Sequence, residues 1–355
     1  MIMRGVAMFV SVKVKKTAVM ALLLVLVLVV ASVTLLPKAL PAAAEPEDPD
    51  FIKWVDFDVP ASLMKQVMEM DIETYDSAEH VSWVEVLAYL GAKYGGDFGK
   101  YKKSDLKELL QKVESGESIA SIGKDMRYYD YYHEAYAAVL DGFVGEYEIE
   151  TEAGWEKQYG LKAYSPIAKT FPYDDYDDFG ASRTYGYDRK HLGHDMMAAV
   201  GTPVVAVESG VVEVMGWNQY GGWRIGISSF DGIRYHYYAH LRQNSPYAEG
   251  LAEGQTVMAG DVIGYVGRTG YSAEENTNNI ETSHLHYGLQ LIFDESQKEG
   301  SSEIWVDVYD ICNLLRGNQT ETVRNDVTKE RTRVQNFREV IPEDCFTPSK
   351  DSAQS

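Results

Sequence analysis

The spacing of apolar positions divides the chain into stretches of different period. From Thr17 to Pro37 no charge interrupts the apolar run. It is apolar on every face of a helix and long enough to cross a hydrocarbon core of about 30 Å. Arg4, Lys13, Lys15 and Lys16 precede it, so the positive-inside rule keeps residues 1–16 in the cytoplasm and sends the rest outside. Ala42-Ala43-Ala44 would suit cleavage, but the run exceeds the ~7–15 apolar residues usual in a signal peptide. The expectation is an uncleaved single-pass anchor over 17–37 in a cell membrane, or a secreted protein if it is cut. An Ala/Pro/acidic linker fills 38–58. Over 59–145 apolar residues recur at helical intervals: Leu63, Val67 and Met70; Val81, Val84 and Ala88; Leu106, Leu109 and Leu110. Gly95-Gly96 and Gly116 punctuate them, which predicts a small all-α domain. The tyrosines between Tyr128 and Tyr136 suit core packing better than a carbohydrate platform.

After a connector over 146–165 the grammar changes. Pro203–Val207, Gly210–Val214, Trp223–Ile227, Ile233–Leu241, Gly254–Val257 and Gly260–Val266 are short β-rich runs broken by glycine. Close spacing with no intervening helix predicts an antiparallel β-rich domain over 166–316. Residues 317–355 are mostly polar, without an apolar period, and read as an extension outside that core. The fold class expected is α+β: a membrane helix, a small all-α domain, then the antiparallel β-rich domain.

Composition adds two exclusions. The whole chain is 45% hydrophobic and 25% charged, an ordinary globular balance. Beyond residue 40, 28 basic residues face 54 acidic ones, a formal charge of −26. Such a surface repels phosphate backbones, so nucleic acid is excluded as a partner. Cys312 and Cys345 form no C-x-x-C motif. They either pair outside the cell or stand as one buried residue and one tail thiol.

Six of the eight histidines lie between His191 and His286. His191 and Asp195 read H-x-x-x-D, and His284 and His286 read H-x-H about ninety residues later. In a strand, His284 and His286 share a face, as do His236, Tyr238 and His240 in their own run. Gly193 eases a bend between His191 and Asp195. Imidazole and carboxylate are zinc donors, and a catalytic zinc keeps three protein ligands with one position open. The clustering points to a metallohydrolase with more candidate donors than such a site needs. His80 and His133 stand alone in helical context and receive no role.

The stretch from Asp178 to Leu315 resembles the lysostaphin-like (LytM-type) zinc endopeptidases, which cut peptides of bacterial peptidoglycan. Phe179-Gly180-Ala181-Ser182-Arg183 resembles the family's opening motif, and the glycine framework at Gly201, Gly210, Gly254, Gly264, Gly267 and Gly270 comes after it in order. The resemblance implies that His191, Asp195 and His286 bind one zinc ion per chain, and that His240 and His284 are catalytic. It also implies a β-rich domain of the duplicated hybrid motif type with the site in a groove across the sheet. His236 would then be a cleft-wall residue and His194 incidental. Ser272–Glu281 lengthens the loop before His284, a departure that touches substrate choice. Peptidoglycan peptides are the implied partner, with the helical domain available to a cell-envelope protein. The competing reading is a regulatory scaffold of the same fold that binds a partner or activates another hydrolase; the complete ligand set argues against it.

Overall fold

Local signals fix the helices. Helix α1 (Ala61–Thr74) begins after Pro60, whose ring presets φ for a helix start. In α2 (Trp83–Tyr94) the Ser82 side chain accepts from the Glu85 N–H, and Gly95 ends the helix in the left-handed region at φ 65°. Helices α3 (Lys103–Glu114), α4 (Ile119–Gly123) and α5 (Tyr129–Leu140) come next. Tyr129, Tyr132 and Tyr136 of α5 are buried. Gly91 of α2 gives two of them room, since a Cβ there would lie 2.9 Å from Tyr132 and 3.0 Å from Tyr136.

The computed structural model describes residues 51–184, 188–298 and 302–347. A hairpin of β1 (Val144–Thr151) and β2 (Gly154–Leu161) leads from the helices into the main sheet. Its strands are β3 (Tyr173–Asp174), β6 (His194–Ala198), β8 (Gly210–Asn218), β9 (Gly222–Ser229), β10 (Arg234–Ala239), β11 (Thr256–Val257), β13 (His284–Leu291) and β14 (Ile304–Val306). They run in the order β11-β8-β9-β10-β13-β6-β3, with β14 against β13, and every pairing is antiparallel. Small hairpins pair β4 (Ser182–Thr184) with β5 (Asp188–Lys190) and β7 (Pro203–Val205) with β12 (Val262–Tyr265). Helix α6 (Tyr309–Leu315) closes the β-rich part.

Two expectations are corrected. The apolar run over 17–37 lies outside the described residues, and among the described residues no helix is long and apolar enough to cross a membrane. Nor do the helices form an all-α domain of their own. Residues from Phe51 onward make one compact unit, and helical Leu87, Tyr136 and Leu140 share a single hydrophobic core with Ile227, Tyr238, Leu285 and Tyr287 of the sheet. The architecture is a β-rich fold with helices packed on it. Helical periodicity predicts helices, but it cannot say what their apolar faces will cover.

The polar run after Arg316 also returns to the body. It forms β15 (Thr322–Arg324), β16 (Arg331–Arg333) and β17 (Phe337–Arg338), and β17 pairs with β1 while Phe337 is buried. Strands of two or three residues are too short to show a period. Cys312 is buried and Cys345 half-buried, and both are free thiols.

A buried ion cluster ties helices to sheet. Arg234 of β10 donates from Nε to Glu208 at 2.9 Å and from Nη1 to the Ala138 carbonyl of α5 at 3.0 Å. His236 Nε2 lies 2.9 Å from the same Glu208, and its Nδ1 lies 2.9 Å from the Tyr287 hydroxyl. Burial raises the Glu208 carboxyl, but Arg234 and the hydrogen bond to His236 outweigh it and lower it to about 2. Removing one partner strands the other charge, so Glu208→Gln should cost about 3 kcal/mol in denaturant unfolding. Because the folded value is depressed from 4.5, the wild-type contribution is complete above that pH and disappears as pH falls toward about 2. A loss under about 1 kcal/mol would contradict this account of the cluster.

Candidate metal centre

Strand register assembles the site. Asp195 of β6 pairs with His286 of β13, which pairs on its other side with Ala239 of β10. The three therefore form one row on one face of the sheet. His191 reaches the row from the turn before β6, where its N–H donates to the Ala181 carbonyl and its carbonyl accepts from Gly180. His191 Nε2 lies 3.0 Å from Asp195 Oδ1 and 3.0 Å from His286 Nδ1, and the last two atoms are 2.9 Å apart. His191 and Asp195 are buried and His286 half-buried. Ligand atoms about 2.1 Å from a tetrahedral ion lie about 3.4 Å apart, so this triangle suits one divalent cation with little adjustment. The chemistry of the set, two imidazoles and a carboxylate, also fits zinc.

The surroundings orient the donors. His191 Nδ1 lies 3.4 Å from the Asp178 carbonyl oxygen, an acceptor, and 3.0 Å from the same residue's Oδ1, which leaves Nε2 for the cluster. Arg183 bonds Asp178 Oδ2 and, at 3.1 Å, Asp195 Oδ2, so Oδ1 of Asp195 is the oxygen turned to the histidines. Burial raises the Asp195 carboxyl, but hydrogen bonds with His191 and His286 and the charges of His286 and His284 hold it well below the usual carboxylate range. His286 is itself lowered, chiefly by burial.

His240 and His284 flank the triangle. Their rings are 4.8 Å apart, and His240 is 5.8 Å from His286 between centroids. Nδ1 of His240 is 2.9 Å from the Thr269 carbonyl and Nδ1 of His284 is 2.8 Å from the Thr282 carbonyl. A carbonyl only accepts, so each Nδ1 carries a proton and each neutral ring keeps a lone pair on Nε2. His284 Nε2 lies 3.7 Å from Asp195 Oδ1. Burial first, then the charges of His284 and His286, push His240 well below 6.5.

All five residues singled out from sequence converge here, but the parity argument fails at one of them. His236 and Tyr238 face the core, whereas His240 lines the site with Tyr237 and Ala239. His240 has φ 61°, and this left-handed backbone breaks the strand's alternation. His236 is thus no cleft-wall residue; it is fully buried against Glu208. His194 bonds Asp175 at 2.9 Å on the far face. Gly193 is not among the residues of positive φ. Its service is room: a Cβ there would lie 2.6 Å from the His286 ring and 2.8 Å from the Tyr287 carbonyl.

Sequence reasoning gave no role to Asp178, Arg183, Arg189 or Tyr271. Arg183 stood in the opening motif, and Tyr235 and Tyr237 alternate with the inward His236, the signal that they face the groove. A cleft of about 660 Å³ runs from His286 past Tyr237, Tyr235 and Trp305. The lengthened loop before His284 is pinned: Asn276 accepts from Trp223 Nε1 at 2.9 Å and from the Asn244 N–H at 2.8 Å.

Residues 189–298 match Peptidase family M23. The chain is 42% identical over 124 residues to the L-Ala--D-Glu endopeptidase of Bacillus subtilis (strain 168), a match covering 35% of this chain and 36% of that protein. It is 37% identical over 98 residues to lysostaphin of Staphylococcus staphylolyticus, covering 27% of this chain and 18% of the other. The matched part therefore spans about a third or less of these relatives' length. A crystal structure from Ruminococcus gnavus, of a protein assigned as the glycyl-glycine endopeptidase lytM, is similar with a TM-score of 0.51 and 26% identity, covering 76% of this chain and 92% of that one.

Gly193→Ala should fold yet hold a divalent metal at least roughly 10-fold more weakly, because the new methyl displaces His286. Metal titration beside circular dichroism checks this. Unchanged affinity would mean that the ring does not need the space.

Proposed function

We propose, on the premise that residues 189–298 are an M23 peptidase domain, that this protein is a zinc endopeptidase hydrolysing peptides of peptidoglycan. The observation that carries the reading is the tight His191, Asp195 and His286 triangle with the imidazoles of His240 and His284 beside it. His191 Nε2, Asp195 Oδ1 and His286 Nδ1 would hold the zinc. When bound, zinc supplies Lewis acidity to the scissile carbonyl and to the attacking water.

The remaining chemistry belongs to the side chains. An imidazole with a free Nε2 accepts the proton of the water that adds to the carbonyl carbon, and returns it to the amine as the C–N bond breaks. The second, once protonated at Nε2, donates to the carbonyl oxygen or shares the proton delivery. His240 suits acceptance, since burial keeps it neutral at pH 7. Arg183 and Asp178 keep the donors aimed, so that binding metal needs little rearrangement.

The family's substrate and the relatives' activities support a wall peptide as substrate. That polymer lies outside the cytoplasm, and the uncharged run of residues 17–37 behind four basic residues supports export of the chain beyond Lys38. The scaffold reading gains no observation, because no candidate donor is missing.

The purified full chain should carry about one zinc and release peptide fragments from cell walls, read by mass spectrometry. His191→Ala and His286→Ala should lose the metal. His240→Ala and His284→Ala should keep it and lose about 10²- to 10⁴-fold in turnover. Zinc-loaded wild type that leaves every wall preparation intact would favour the scaffold.

A further inference from the structure

The cleft beside the triangle is basic in a chain of formal charge −21. Arg189, Arg224 and Lys298 line it with Tyr235, Tyr237 and Trp305. Its two carboxylates are engaged: Glu213 is buried against Ser228 and Lys298, and Glu303 accepts from Trp305 Nε1 at 2.9 Å. Lys298 is thereby balanced by Glu213, and Arg189 is the cation that also lines the small pocket shared by His191, Asp195, His240 and His286.

Arg189 is built into place. Its guanidinium lies 5.0 Å from the Tyr271 ring centroid and 5.7 Å from that of Tyr220, and Nη2 donates to the Tyr271 hydroxyl. The Tyr271 ring in turn sits 5.8 Å from the His240 ring. Aromatic faces strip water from the cation without neutralising it. Among the described residues the buried Nε of Arg189 has no hydrogen-bond partner. A buried donor left unmade is costly, so the protein does not fully satisfy this guanidinium. A planar, always-charged fork beside the reacting carbonyl matches one ligand chemistry above others, a carboxylate.

We propose that the cleft selects peptides bearing a free carboxylate next to the scissile amide, and that Arg189 is the residue that reads it. This rests on the peptidase reading of the same site. A neutral oligoglycine offers the fork nothing in exchange for its hydration, whereas an acidic stem peptide does. The aromatic wall of Tyr237 and Trp305, whose rings meet at 6.1 Å, takes the apolar remainder.

The test uses the zinc-loaded full chain and three probes: a synthetic stem peptide with free carboxylates, the same peptide amidated, and pentaglycine. Cleavage is followed by mass spectrometry and affinity by calorimetry. Wild type should favour the free acid by roughly 10- to 100-fold in kcat/KM, the usual worth of a hydrogen bond to a charged group. Arg189→Gln should lose that preference through KM, and Arg189→Lys, which keeps charge but not the fork, should restore part of it. Equal treatment of acid and amide by wild type, or better cleavage of pentaglycine, overturns the proposal. Loss of kcat in Arg189→Gln by the same factor on both stem peptides overturns it in favour of a role on the reacting carbonyl. If no probe is cleaved but calorimetry retains the Arg189-dependent preference, the peptidase reading fails and the carboxylate site stands. No preference in binding either sinks both.

Discussion

The site depends on strand register. Ala239, His286 and Asp195 occupy one row across β10, β13 and β6. Side chains alternate with a period of two, so a slip of one residue in β13 would turn His284 and His286 into the core and bring Leu285 and Tyr287 to the groove. Leu285 and Tyr287 are fully buried, which makes that slip expensive. The hydrophobic core thus enforces the geometry of the polar cluster through the backbone, without touching it.

The same alternation splits β10 into two uses. Arg234, His236 and Tyr238 face the helices and close the Glu208 cluster, while Tyr235 and Tyr237 face the cleft. Tyr287 of β13 joins the inward set through His236, immediately beside the donor His286. The helical layer is therefore tied through this cluster to β10 and to β13, which carries His286. It is also why the helices have no separate core: their apolar faces cover the back of the sheet that carries the site on its front.

The donors were legible because each lies where spacing and local geometry agree. H-x-H in a strand needs only a period of two, and His191 with Asp195 needs only a short turn. His240 was found through its run Tyr238-Ala239-His240-Leu241, yet its direction was misread, since a left-handed backbone at a histidine leaves no mark in the alternation. His236 looked like a groove residue for the same reason. Its partner Glu208 lies in a loop 28 positions away, beyond the reach of periodicity. The polar tail hid its strands because β17 docks on β1 through buried Phe337 together with polar contacts such as Arg338 with Glu148, which leave no apolar period. Arg189 and Tyr271 were invisible because their meaning is a contact across 82 positions.

Four imidazoles crowd one pocket, and what distinguishes them is the partner of the nitrogen turned away. Behind His191 stands Asp178, whose carboxylate lies 3.0 Å from Nδ1 and turns Nε2 to the cluster. Arg183 bonds that carboxylate through its other oxygen. Behind His240 and His284 stand neutral carbonyls, of Thr269 and Thr282. A carbonyl fixes ring and tautomer and leaves Nε2 as the nitrogen turned to the site. On the proposed reading, ligation falls to His191 and His286 and proton transfer to His240 and His284, and the partner behind each ring is what sets which nitrogen faces the site.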